Sequence, residues 1–323
     1  MDFLTSLWHW VADPFQYEFM VKALGVGALV GVVCAVLSCF ITLKGYSLLG
    51  DAVSHSVLPG VVLAYLIGLP FAIGAFVFGL LSVLLIGWVK SNTRLRDDAI
   101  IGIVFTAFFG LGIILISKLP VLVPLAGRWL GHVPPLLDVK SILFGNVLGI
   151  ADADIVQTVI AGGLTLVLIL ILRRDLLLFC FDPNHARAIG LNTRALYYLL
   201  LSLLALTIIA ALQTIGVVLV VGMLVTPGAI AYMLTDRFDR MLGIAVGASV
   251  AACIAGIYAS YYLNIATGGS IVFILSMIFL AALALSPKQG LLAQMLGQRA
   301  RRRASAQKAP MLAIQAQQPG GVQ

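Results

Sequence analysis

Apolar runs of about twenty residues recur along this chain, separated by short clusters of charge, glycine and proline; a run of that length crosses a bilayer core of about 30 Å as a helix. The pattern predicts spans near residues 19–43, 48–68, 71–90, 98–117, 155–172, 195–213, 215–234, 241–263 and 269–286. The stretch 195–234 is too long for one crossing and is divided at Gln213-Thr214-Ile215-Gly216, its polar, glycine-bearing interruption. Nine crossings result, or eight if one is re-entrant or interfacial, and residues 141–150 can add a short half-helix. The period-2 alternation of a membrane barrel is absent, so helices remain as the means of satisfying backbone hydrogen bonds in lipid. The expected fold is all-α, a polytopic helical membrane protein with eight or nine transmembrane helices. Residues 1–18 form an N-terminal extracytoplasmic or interfacial segment, 19–286 the membrane domain and 287–323 a basic cytoplasmic tail, expected to be disordered.

Composition agrees with this setting. Hydrophobic residues make up 61% of the chain and charged residues 10%, against roughly 25% charged in soluble domains, and the mean hydropathy is +1.09. The net charge of +7 is explained by topology. With the N-terminus outside, the inner side receives Lys44, Lys90, Arg94, Arg96, Arg173, Arg174, Arg187, Arg194, Arg237, Arg240, Lys288 and the Arg299–Arg303 cluster. The outer side receives only Lys22, Lys118, Arg128 and Lys140, the asymmetry of the positive-inside rule. No nucleic-acid partner is needed to account for the charge. The tail's arginines can touch anionic lipid or simply be solvated. The first 18 residues lack a basic start followed by an apolar core, so they do not read as a cleaved signal peptide. Cys34, Cys39, Cys180 and Cys253 form no paired metal motif and read as small apolar residues.

The chain has no phosphate loop, no GxSxG elbow and no HExxH. If it moves a solute with ATP, the ATPase is another polypeptide. If it is an enzyme, the chemistry lies within the membrane. Attention therefore falls on GYSLLGDAVSHSVLPG, residues 45–60, where Asp51 and His55 stand four residues apart in an otherwise apolar run. On a helix the two share a face, with Ser47 and Ser54 on or near it. An ionised carboxylate inside a span is costly unless paired or hydrated, so such a residue is by default a functional candidate. Pro59 cannot donate to the carbonyl of His55, which is expected to be free for water, an ion or another helix, as in the broken helices of transporters. Carboxylate plus imidazole suits Mn²⁺, Fe²⁺ or Zn²⁺, and two ligands call for a second copy or a sister subunit to complete the shell. The residues alone leave a proton relay and a purely structural pair open.

Two further segments lie on the predicted cytoplasmic side. In FDPNHARAIGLNTRALYYLL, residues 181–200, Asp182 caps a short helix that starts at Pro183 and ends at Gly190, and Asn192 or Thr193 caps the next span. This is either a lever for a soluble motor or an ordinary connector. His185 on it reads as a contact residue or simply exposed. In VKSNTRLRDDAI, residues 89–100, Asp97 and Asp98 suit a helix N-terminus. Thr226, in Thr226-Pro227-Gly228, is a possible pathway residue beside a kink, and Thr267-Gly268-Gly269-Ser270 separates the last two spans. His9 and His132 read as exposed.

GYSLLGDAVSHSVLPGVVLAYLIG resembles the second-span signature of permease subunits of bacterial ABC importers for manganese, zinc and iron. The resemblance continues through SNTRLRDDAIIGIVFT, LFGNVLG, CFDPNHARAIGLNTRAL, GVVLVVGMLVTPGAIAYMLTDRFDRM and FLAALALSPKQGLL, covering about residues 15–292. It is most like the manganese and iron(II) branch, with zinc next. The resemblance implies intramembrane metal ligands at Asp51 and His55; Ser47, Ser54, Pro59 and Thr226 are possible pathway residues by their own positions in the spans. It implies an ATPase-docking segment around Asp182, Pro183, His185, Arg187 and Gly190. It further implies a permease dimer of identical or related chains, a dimer of cytoplasmic ABC ATPases that uses the ATP, an extracytoplasmic metal-binding protein, and a place in the bacterial inner membrane. No permanently bound cofactor and no enzymatic activity of the chain itself are expected. The basic tail is not part of that pattern. Against this stand a permease for a metal chelate or cofactor, a proton-coupled secondary transporter and an intramembrane enzyme, the last disfavoured because no second carboxylate or nucleophile lies near the pair.

Overall fold

In the computed structural model, residues 13–46, 48–130 and 152–286 are described. After one turn of 3₁₀ helix at Asp13–Gln16 come α1 (Glu18–Lys44), α2 (Leu49–Ser56), α3 (Leu58–Ile67), α4 (Phe71–Asn92), α5 (Asp97–Leu130) and α6 (Asp152–Ile171). The chain continues as α7 (Arg173–Phe181), α8 (Pro183–Ala188), α9 (Thr193–Ile215), α10 (Val217–Leu234), α11 (Phe238–Leu263) and α12 (Thr267–Leu285). Among the described residues there is no strand, and eight helical stretches are long and apolar enough to cross a membrane. All nine expected spans are helical. The one outside the eight is α10, whose apolar helix counts only from Leu219 to Leu234.

Boundaries differ from expectation in three places. The second span is two helices, α2 and α3, joined at Val57. The fourth runs well beyond residue 117, through Pro120 and Pro124, to Leu130; a helix interior with two prolines is a costly reading from sequence. The loop after the fifth span holds α7 as well as the expected short helix. The division of 195–234 falls where the polar interruption put it. Gly216 takes φ 81° and ψ 163°, open only to glycine, and its N–H still reaches the Leu212 carbonyl at 3.0 Å. Residues 141–150 lie outside the described residues.

Helix α1 is the central post. It packs against α10 and α11, and also touches α6, α7 and α9. Helices α3, α4 and α5 form a second group, joined to the first through α9 and α2. Large apolar side chains also face outward, among them Trp88, Ile103, Ile160, Phe273 and Leu285, as expected when the surrounding solvent is lipid. The hydrophobic effect cannot then draw helix to helix, and close packing with interhelical hydrogen bonds does so instead. Small hydroxyls supply those bonds: Ser249 to the Gly31 carbonyl at 3.0 Å, Ser270 to Gly256 at 2.7 Å, and Ser56 to Ser82 at 2.9 Å.

Helix α10 contains Pro227, which has no N–H to give. Ser38 of α1 serves the kink: its Oγ accepts the Gly228 N–H at 2.8 Å and donates to the Val225 carbonyl at 3.2 Å. Helices α3 and α4 meet backbone to backbone at Gly60 and Gly74, where a Cβ on either glycine would overlap the other's carbonyl. At Gly25 the same added atom meets nothing within 4 Å.

Gly60→Ala is therefore expected to cost about 1–3 kcal/mol or more, the range of overpacked interiors, while Gly25→Ala is neutral. Thermal unfolding in detergent, followed by a thiol-reactive dye that labels the four buried cysteines on opening, measures this. Coincident curves for the two variants would show that the Gly60–Gly74 approach does not constrain the fold.

Candidate functional site

Helix α2 has only eight residues, and its charges follow its dipole. Asp51 lies in the first turn and His55 in the last, the ends at which an anion and a cation respectively are favoured. One turn apart on one face, they stand with His55 Nε2 3.4 Å from Asp51 Oδ1. Neither side chain is sealed in: Asp51 is 44% exposed and His55 28%. Within a span, that exposure is surface of this protomer facing lipid, a cavity or another subunit. No third His, Cys, Asp or Glu joins them among the described residues.

Helix α5 shapes the histidine's surroundings. Phe105 and Phe109 meet the imidazole edge-on, with ring centroids 5.6 and 5.2 Å away, and stack on each other at 5.7 Å. They hold the ring against one wall and leave its Asp51 side open. Sequence reasoning passed over both, because two phenylalanines at helical spacing in an apolar span carry no mark of a site.

The other expected site residues are arranged differently. Ser54 is buried and donates to the Gly50 carbonyl at 2.8 Å, turned away from the pair. Ser47 lies outside the described residues. Pro59 is buried at the start of α3, an early position where its missing N–H is no loss. The Val57 N–H lies toward the His55 carbonyl where α2 meets α3. Thr226 is half-buried on α10, two residues beyond Leu224, which packs against Gly50 of α2.

The segment after α7 is built as a capped unit. Asp182 accepts the N–H groups of Asn184 at 2.9 Å and His185 at 3.0 Å. The His185 N–H above all, with that of Asn184, holds the Asp182 carboxyl below the usual carboxylate range. Pro183 is the first helical residue, and the helix closes with the Leu191 N–H on the Ala186 carbonyl and Gly190 at φ 91°. Asn192, rather than Thr193, caps α9 through the Ala195 N–H at 3.0 Å. Ala186 is fully buried and anchors α8, while His185 and Arg187 point outward. Phe181 and Ile189, 63% and 57% exposed, flank the unit. The unit is tied to the bundle by Lys44, whose ammonium donates to the Phe179 carbonyl at 3.2 Å and sits 4.2 Å from that ring's centre. Asp97, expected only to suit a helix start, also pairs with Lys90 at 2.7 Å, and Lys90 in turn reaches the Tyr46 hydroxyl at 2.8 Å.

Comparison with known proteins bears on this arrangement. The chain is 58% identical over 287 residues to the manganese transport system membrane protein MntB of Synechocystis sp., covering 89% of each. It is 46% identical to the chelated iron transport system membrane protein YfeD of Yersinia pestis, covering 88% of this chain and 90% of that one. Among solved structures, PsaBC from Streptococcus pneumoniae in complex with Fab matches with a TM-score of 0.73 at 37% identity, over 88% of this chain and 97% of that one. Residues 16–286 match the ABC 3 transport family, and with the multi-pass helical fold around them the chain belongs to that family of membrane transport proteins.

Proposed function

We propose that this chain is the transmembrane permease of an ATP-driven importer of divalent transition metal ions, manganese or iron(II) first and zinc next. The carrying observation is the Asp51–His55 pair, one turn apart and half-open on the surface of a membrane span, in a chain 58% identical to a manganese transport system membrane protein. A carboxylate and an imidazole are a partial shell for such ions. A second permease, identical or paralogous, brings its own pair to the same ion across a dimer axis. The capped unit from Asp182 to Gly190 docks on a dimer of cytoplasmic ATPases, with Phe181 and Ile189 as apolar anchors beside His185 and Arg187. An extracytoplasmic binding protein delivers the ion to the outer side of the chain, the side on which residues 118–154 are expected. With nine crossings, the distribution of Lys and Arg puts the N-terminus outside and the C-terminus in the cytoplasm, across the bacterial inner membrane.

Transport follows from these parts. The ion leaves the binding protein for the Asp51–His55 site. ATP binding and hydrolysis in the partner move α7 and α8, access alternates, and the ion leaves toward the cytoplasm. The permease performs no covalent chemistry.

Uptake of radiolabelled Mn²⁺, Fe²⁺ and Zn²⁺ by cells lacking their own importers, expressing this chain with its ATPase and binding protein, tests the reading. Asp51→Ala and His55→Ala, at matched membrane levels and with the complex assembled, are each expected to lower uptake at least tenfold. Normal uptake by both would return the pair to a structural role. No free-ion uptake by an assembled and energised wild type would put a chelate importer first.

Asp182→Ala is expected to leave metal binding intact and to lower metal-stimulated ATP hydrolysis several-fold, because α8 loses its cap. The pH dependence has a defined sign. The carboxylate's folded-state affinity for protons is lowered, so its support is present above the ordinary carboxylate range and is lost as pH falls through the still lower folded value. Between pH 6 and 8, a range set by that rule, the wild-type cap holds steady. Full coupling by the Asp182→Ala protein would remove the capped unit from the transmission path.

A further inference from the structure

At the end of the bundle that carries α7 and α8 lies a cleft of about 750 Å³, the size of a small-molecule site. Four cations from three parts of the chain line it: Lys44 at the end of α1, Lys90 near the end of α4, and Arg187 and Arg194 on either side of the α8–α9 turn. Among the described residues, only Lys90 is neutralised, by Asp97, and the Lys44 ammonium donates to the uncharged Phe179 carbonyl. Neither Arg187 nor Arg194 enters an ion pair among the described residues. The cleft therefore concentrates three uncompensated positive charges. Tyr46, Tyr197 and Tyr198 complete its wall, and Gly87 makes room for the Tyr198 ring, which a Cβ there would strike.

This chemistry favours an anion with several acceptor oxygens. The position favours one attached to a membrane, because α1 and α4 end and α9 begins at the cleft, placing its floor at the depth where tyrosines and basic residues meet lipid headgroups. We propose that the cleft binds the phosphodiester headgroup of an anionic phospholipid. The phosphate oxygens take Lys44, Arg187 and Arg194, and the tyrosine hydroxyls suit a polar headgroup. Basic clefts between membrane helices take acidic lipid heads in this way. The lipid would bridge α1 to the α8–α9 turn where Lys44 already touches α7, so its occupancy would stiffen the unit assigned to ATPase coupling. Which leaflet supplies the lipid follows from the orientation proposed above. The binding itself does not depend on whether Asp51 and His55 carry a metal.

Native mass spectrometry of the purified full-length chain in detergent, with phosphatidylglycerol or phosphatidylcholine added, tests this. The wild type is expected to retain phosphatidylglycerol and not phosphatidylcholine. Arg194→Gln is expected to weaken retention about fivefold, and Lys44→Gln with Arg194→Gln about 25-fold, taking roughly fivefold per cation at an anionic lipid. Lys118→Gln, an exposed cation far from the cleft on α5, is expected to change nothing. Because Arg194 is exposed and unpaired, that single variant keeps the test sound if the double one folds poorly. Equal retention of both lipids, or unchanged retention in Arg194→Gln, would overturn the proposal. Displacement of the lipid by millimolar inorganic phosphate would assign the cleft to a free anion instead. Its loss when the ATPase subunits join would assign the cleft to a protein partner.

Discussion

A chain in lipid has no water to satisfy an unpaired N–H or C=O, so each departure from continuous helix must find its partners inside the protein. This constraint accounts for much of the molecule. At Gly216 the chain turns between two helices while its N–H still bonds to the turn before. At Pro227 the helix runs on because a serine on another helix takes up the loosened backbone. At Val57, where α2 meets α3, the backbone keeps near-helical angles, φ −70° and ψ −25°, and its carbonyl takes the Val61 N–H at 3.1 Å. These repairs leave α2 as a separate two-turn piece. Its short length puts Asp51 and His55 in its first and last turns, the ends at which a helix favours an anion and a cation respectively.

The spans were legible in the sequence because apolar length is a strong and local signal. So were the Gly216 division and the cap at Asp182, where the residue types have few other uses. Asp51 and His55 stood out because ionisable groups inside a span are expensive. What escaped the sequence depended on distance along the chain. Nothing near Ser38 announces that it serves a proline 189 residues later, the separation of Ser38 and Pro227 in the sequence. Phe105 and Phe109 became neighbours of His55 only through packing of α5 on α2. Asp97 suited its helix start equally well with or without Lys90. Ser54 turns back to the carbonyl one turn earlier, as a serine inside a helix readily does.

On the proposed reading, a half-site with one carboxylate is well matched to a divalent ion shared across a two-fold axis. Two carboxylates and one divalent cation sum to zero charge, which removes most of the cost of holding the ion within the membrane. The same simplicity limits discrimination, since carboxylate and imidazole accept several first-row ions and intrinsic affinity rises along the series from manganese to copper. Choice of metal then rests largely with whatever delivers it.

The path from the coupling unit to this half-site is short. Lys44 touches Phe179 of α7, and seven residues after Lys44 the chain reaches Asp51. Between them lies Tyr46, held by Lys90, which is itself held by Asp97 at the start of α5. Helix α5 also carries the two phenylalanines that frame His55. A displacement of α7 thus reaches the aspartate through the end of α1. If it also disturbs the Lys90–Asp97 pair, it reaches the histidine's wall through α5. Helix α2 is preceded by a turn rather than by continuous helix, and on the proposed reading that turn lets the Asp51–His55 pair follow such a displacement, while the Gly60–Gly74 contact locks α3 to α4.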